Sequence, residues 1–154
     1  HDFLSTRSAQ PPRWADWVVT NPPFSRAAEF VEVGLRVARR GVAVLCRSVW
    51  LESEGREDLL FGEAPLAVYA PFMQRVTMTL GAWKPGETNG ATAYAWFIWF
   101  TPPAEPGWLS LTRAMAPAQA VLMPIPYGAK ERLTHRDDAR LFGARAPAPL
   151  LGEG

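Results

Sequence analysis

A chain of 154 residues, 48% of them apolar, is long enough for one domain, and a domain of that size buries about 70% of its unfolded surface. No apolar run reaches membrane length and nothing resembles a signal peptide, so a cytoplasmic globular protein is expected. A single cysteine excludes a disulfide framework, two histidines in no ligand spacing argue against a metal, and a net charge of +1 does not by itself announce a nucleic-acid partner.

In chain order, Trp14 to Thr20 reads as a strand, with Trp17-Val18-Val19 as its apolar run. Ser25 to Arg40 reads as a helix: Ser25 is the N-cap, Ala27, Val31, Leu35 and Ala38 share one face, and Gly41 stops it. Arg39-Arg40 would then close that helix, where cations suit its dipole, and could also touch phosphate. Val42 to Val49 is a nearly continuous apolar run, expected to be a central buried strand that hides Cys46 as a structural thiol. Strand, helix and strand make a right-handed parallel crossover. In such open sheets ligands bind beyond the carboxyl ends of the strands, where residues 20–24 would lie.

Glu54 to Phe61 reads as a short helix, and Pro65 and Pro71 bracket a brief extended piece, Leu66-Ala67-Val68-Tyr69. Gln74 to Leu80 and Ala91 to Phe100 flank a turn-rich stretch, Lys84 to Gly90, which predicts an antiparallel hairpin. Trp96 and Trp99 fall on opposite faces of its second strand and read as core aromatics. From Pro102 prolines punctuate the chain. Residues 102–154 are therefore set apart from 1–101 as an irregular extension with one polar helix near 129–142, and Lys130, Arg132, Arg136, Arg140 and Arg145, partly cancelled by Glu131, Asp137 and Asp138, read as a solvated helix face.

The residues Asn21-Pro22-Pro23-Phe24, directly after the first strand, carry the chemistry. An amine conjugated to a ring or carbonyl is a poor nucleophile because its lone pair is shared with the π-system. The Asn21 side-chain oxygen and the Pro22 carbonyl could each accept one N–H, turning the lone pair toward an incoming methyl group. Two prolines fix φ and remove competing donors, so the acceptors are held rigid. Phe24 supplies a face for a planar target.

The run Asp16 to Phe24 resembles the catalytic motif of S-adenosylmethionine-dependent DNA methyltransferases that act on amino groups, with the adenine-specific enzymes of phages and prophages the nearest. The likeness continues through Arg47-Ser48-Val49-Trp50-Leu51-Glu52 and Arg56, Arg75-Val76-Thr77-Met78, and Ala93 to Trp99, covering about residues 1–101. It implies a Rossmann-like α/β fold, with a mostly parallel sheet ending in an antiparallel hairpin strand, and methyl transfer to adenine N6 in double-stranded DNA in a bacterial or phage-infected cell. Asn21, Pro22, Pro23 and Phe24 would be catalytic, and Phe24, Arg47, Arg56 and Arg75 would contact the substrate. Asp2, Phe3 and Asn21 would contact the cofactor; Asp2 reads equally as a solvated terminal acid.

The family's glycine-rich strand-to-helix turn is not found, since the one Gly-x-Gly, Gly152-Glu153-Gly154, precedes no helix. The fold is thus expected to be incomplete at its N-terminus, with the first half of the cofactor site upstream of His1. Two alternatives stay open: an acceptor in RNA or a glutamine amide in protein, which relatives with the same motif use, or a non-catalytic remnant or accessory subunit. Recognition sequence and oligomeric state are not readable from these residues.

Overall fold

A computed structural model describes residues 3–8, 13–52, 54–62, 64–78, 90–101, 104, 106–109 and 119–142. The β-prone run around Trp17 forms strand β1 (Ala15–Thr20), which pairs in parallel with β2 (Ala38–Arg47), Val18 opposite Val42 and Thr20 opposite Val44. Helix α1 (Ala27–Val37) joins them and turns Ala27, Val31, Val33, Gly34 and Val37 into the core. A Cβ on Gly34 would come within 2.9 Å of the Val42 side chain, so glycine here lets helix and sheet approach closely.

Both ends of α1 differ from expectation. Phe24–Arg26 forms a 3-10 turn, and Arg26, with no side-chain cap, occupies the N-cap position assigned to Ser25. At the other end the helix stops at Val37, because Ala38 is already extended (φ −83°, ψ 139°) and pairs with Ala15. Arg39 and Arg40 are therefore exposed strand residues rather than helix-closing cations. Arg39 bridges to Asp16 on β1 at 3.3 Å. Gly41 is not a helix stop either. It lies within β2 opposite Trp17 and Phe100, where a Cβ would run into the Trp99 carbonyl and the Trp17 ring.

The remaining strands are β3 (Val68–Pro71), β4 (Tyr94–Phe100) and β5 (Val121–Leu122), and the sheet order is β1-β2-β4-β3-β5. Strand β4 runs antiparallel to both β2 and β3, while β3 and β5 are parallel. Among the described residues β4 is thus the one reversed strand, and it sits inside the sheet. The expected hairpin with Gln74–Leu80 is not formed: residues 74–78 are not strand. Among the described residues the two segments meet without strand pairing: Arg75 Nη1 donates to the Ala91 carbonyl, and Gly90 lies against the Val76 backbone. Leu80 and the turn over 84–89 lie outside the described residues.

Alternation along β4 splits the core into two layers. Ala95, Phe97 and Trp99 join α1, Trp50, Leu60 and Leu66 on one face. Trp96, Ile98 and Phe100 pack with Ala67, Val68, Ala70 and Leu109 on the other. Trp99 is a fully buried core aromatic, as expected, whereas Trp96 is half-buried and packs against the second layer; the Trp99 indole N–H donates to the Leu59 carbonyl at 3.1 Å.

The segment expected at 54–61 divides into a 3-10 turn, Glu54–Arg56, and helix α2 (Glu57–Phe61). In the Pro-rich extension, β5 adds to the sheet beside β3 and Leu109 is fully buried. The one polar helix expected near 129–142 is instead two, α3 (Ala129–Leu133) and α4 (Asp138–Phe142). Thr134, extended at φ −75°, ψ 121°, ends the first. Residues 143–154, including the terminal Gly-x-Gly, lie outside the described residues. No described helix is long and apolar enough to cross a membrane.

Candidate functional site

Parallel pairing brings the carboxyl ends of β1 and β2 to the same side of the sheet. The reversed β4 brings its amino end there too, since Arg47 pairs with Tyr94. The segment leaving β1 is Asn21-Pro22-Pro23-Phe24, and Pro23 is extended at φ −54°, ψ 125°. The Arg26 N–H donates to the Pro23 carbonyl at 2.9 Å, a bond that leaves the Pro22 carbonyl unused by the turn. Pro22 is buried, whereas Asn21 is exposed, and its side chain has no hydrogen-bond partner among the described residues.

Phe24 is half-buried and already has company. The Arg47 guanidinium lies 5.1 Å from its ring centroid, and the Tyr94 ring is tilted against it at 6.1 Å. Beyond β2 the chain makes a 3-10 turn, Ser48–Leu51, which drives Trp50 into the core against Phe97, centroids 5.0 Å apart. The Arg56 guanidinium lies over the Trp50 ring, 4.6 Å from its centroid, and its Nε donates to the Trp50 carbonyl at 3.0 Å. Phe24, Ser25, Arg47, Val49, Trp50 and Arg56 line one cleft of about 280 Å³. Beneath it, burial pushes the Cys46 thiol up to about 11, with Arg56 pulling weakly the other way. A thiol so held is a core group and not a nucleophile.

Of the residues singled out from the sequence, Phe24, Arg47 and Arg56 come together in this cleft, and Asn21 stands three residues from Phe24 at the end of β1. Arg75 does not line it and instead bonds the Ala91 carbonyl. Phe3 stacks on Phe30 of α1, centroids 5.3 Å apart, and Asp2 lies outside the described residues. Trp50 and Tyr94 were missed as site residues. Trp50 lies between the two arginines in sequence, so its neighbours carried a signal. Tyr94 reaches Phe24 only because β4 inserts beside β2, a long-range pairing with no local mark. Among the described residues no cluster of three or more His, Cys, Asp or Glu could hold a metal ion.

This chain matches no protein-family model and no curated protein sequence. A functional reading therefore rests on the residues of the cleft and on the strand ends around it.

Proposed function

We propose that this chain carries the acceptor side of an S-adenosylmethionine-dependent methyltransferase acting on the exocyclic amine of adenine in double-stranded DNA. The observation that carries the reading is the position of Asn21-Pro22-Pro23-Phe24. It leaves the carboxyl end of β1 in a β-α-β unit and ends on an aromatic wall of a cleft that also holds two guanidinium groups. A conjugated amine needs two fixed acceptors. The exposed Asn21 Oδ1 would take one N–H and the Pro22 carbonyl the other, drawing the lone pair out of the ring by orientation and electrostatics alone. The adenine would have to leave the duplex stack to reach them, at a cost of a few kcal/mol, and Phe24 offers it a new stacking surface.

The described residues do not by themselves fit the whole methyl donor. Among the described residues the strand-to-helix connections 21–26, 48–56 and 123–128 are not glycine-rich, and the Phe3 ring is engaged with Phe30. Of the three candidate donor contacts, Asp2 lies outside the described residues and Asn21 is the exposed one among those described.

The test is transfer of a labelled methyl group from S-adenosylmethionine, with duplex DNA, structured RNA and a glutamine-containing peptide as competing acceptors, using this chain and one extended upstream of His1. N6-methyladenine in the DNA is the expected product. Label in RNA or peptide would move the substrate class, and no label in any acceptor with either chain would leave the non-catalytic alternative.

A further inference from the structure

The cleft is lined by donors without a matching acid. Among the described residues neither Arg47 nor Arg56 has a carboxylate within ion-pair distance, and the rest of the lining is Phe24, Ser25, Val49 and Trp50. The two cations are held differently. Arg56 is tied down by its stacking on Trp50 and by the Nε bond to the Trp50 carbonyl. Arg47 is exposed, and among the described residues its guanidinium makes no hydrogen bond, so the contact with the Phe24 ring is what holds it there. A guanidinium at that distance also covers a face of the ring that a planar acceptor would need.

We propose that the cleft is a phosphodiester subsite in which Arg56 is the fixed anchor and Arg47 the movable arm: reaching for the phosphate takes Arg47 off Phe24 and uncovers the ring for the neighbouring base. Guanidinium groups suit this task because their planar fork binds phosphate oxygens in pairs. An exposed cation–π contact is weak enough to be exchanged for such a bond. The inference rests on the reading of Phe24 as the base-stacking residue, but it concerns binding and needs no methyl donor.

The experiment compares two deoxyadenosine dinucleotides, one joined by a phosphodiester and one by an uncharged methylphosphonate, binding to the protein as monitored by tryptophan fluorescence. Wild type should bind the charged form about tenfold more tightly, as expected for a charge-assisted bond pair. Arg56→Gln should bring that ratio close to one. Arg47→Ala should weaken the charged form yet strengthen the uncharged one by about two- to fivefold, the worth of the contact released from Phe24. Arg47→Lys, which keeps charge without the planar stack, should retain part of the preference. Equal affinity for the two dinucleotides in wild type, absence of binding by either, or an unchanged uncharged-form affinity in Arg47→Ala would overturn the proposal. Displacement of the charged dinucleotide by inorganic phosphate at equal concentration would overturn its assignment to nucleic acid. Normal dinucleotide behaviour without any methyl transfer would instead sink the proposed reaction and leave the subsite standing.

Discussion

Asn21 is exposed and its side chain is bonded to nothing described, so replacing it should cost little stability. Asn21→Ala is expected to keep its unfolding free energy, measured by urea titration, within about 0.5 kcal/mol of wild type, the usual range for a surface change. Phe24 is different, because it also packs on the main core. Phe24→Leu keeps most of that apolar contact and removes the ring, and should weaken acceptor binding by about 1–3 kcal/mol in a titration with oligonucleotide. Cys46 gives a pH signature. A thiol ordinarily near 9.0 that is pushed up to about 11 in the fold stays protonated while the unfolded chain loses its proton. The unfolded state then binds fewer protons, so this group's contribution to stability is complete below pH 9 and falls away as pH rises toward about 11. Cys46→Ser should lack that dependence, measured as unfolding free energy against pH.

The β1-α1-β2 unit was the most legible element, because β-branched and aromatic runs on either side of an i, i+4 apolar pattern have few other readings. Its helix end was misread for a physical reason. Arg39-Arg40-Gly41 has the charge and glycine of a helix terminus, yet the parallel register with β1 claims Ala38 onward for the strand. The glycine answers to sterics at the sheet instead. Gly41→Ala should be destabilised by about 1–3 kcal/mol, the range for overpacking a filled site, since its Cβ would meet the Trp99 carbonyl and the Trp17 ring. Arg39→Ala, at an exposed ion pair, should change stability by less than about 1 kcal/mol. The hairpin expectation failed because strand propensity in 91–100 says that a strand exists but not which strand it pairs with. That choice belongs to burial on two faces, and β4 gains it between β2 and β3.

At the scale of the whole molecule, the sheet collects chemistry from distant parts of the chain at one rim. Asn21 and Phe24 arrive from β1, Arg47 and Trp50 from β2, and Tyr94 from the reversed β4. The first four were within reach of sequence reasoning because they sit in or beside short motifs after apolar runs. Tyr94 was not, since its position depends on strand order. Trp99 anchors this arrangement, fully buried and bonded to Leu59. Trp99→Ala should lose about 3–5 kcal/mol and unsettle the rim with the core, visible as a loss of cleft binding together with a lowered unfolding midpoint. The role proposed for Asn21 is to orient an amine for methylation. Its most direct test is labelled methyl transfer to unmethylated duplex DNA by the upstream-extended chain, wild type against Asn21→Ala, at matched folding. N6-methyladenine is expected from the wild type, with at least a hundredfold loss in the variant, about 2.7 kcal/mol or more, as for removing one catalytic acceptor or donor. Wild-type rates in Asn21→Ala would contradict it.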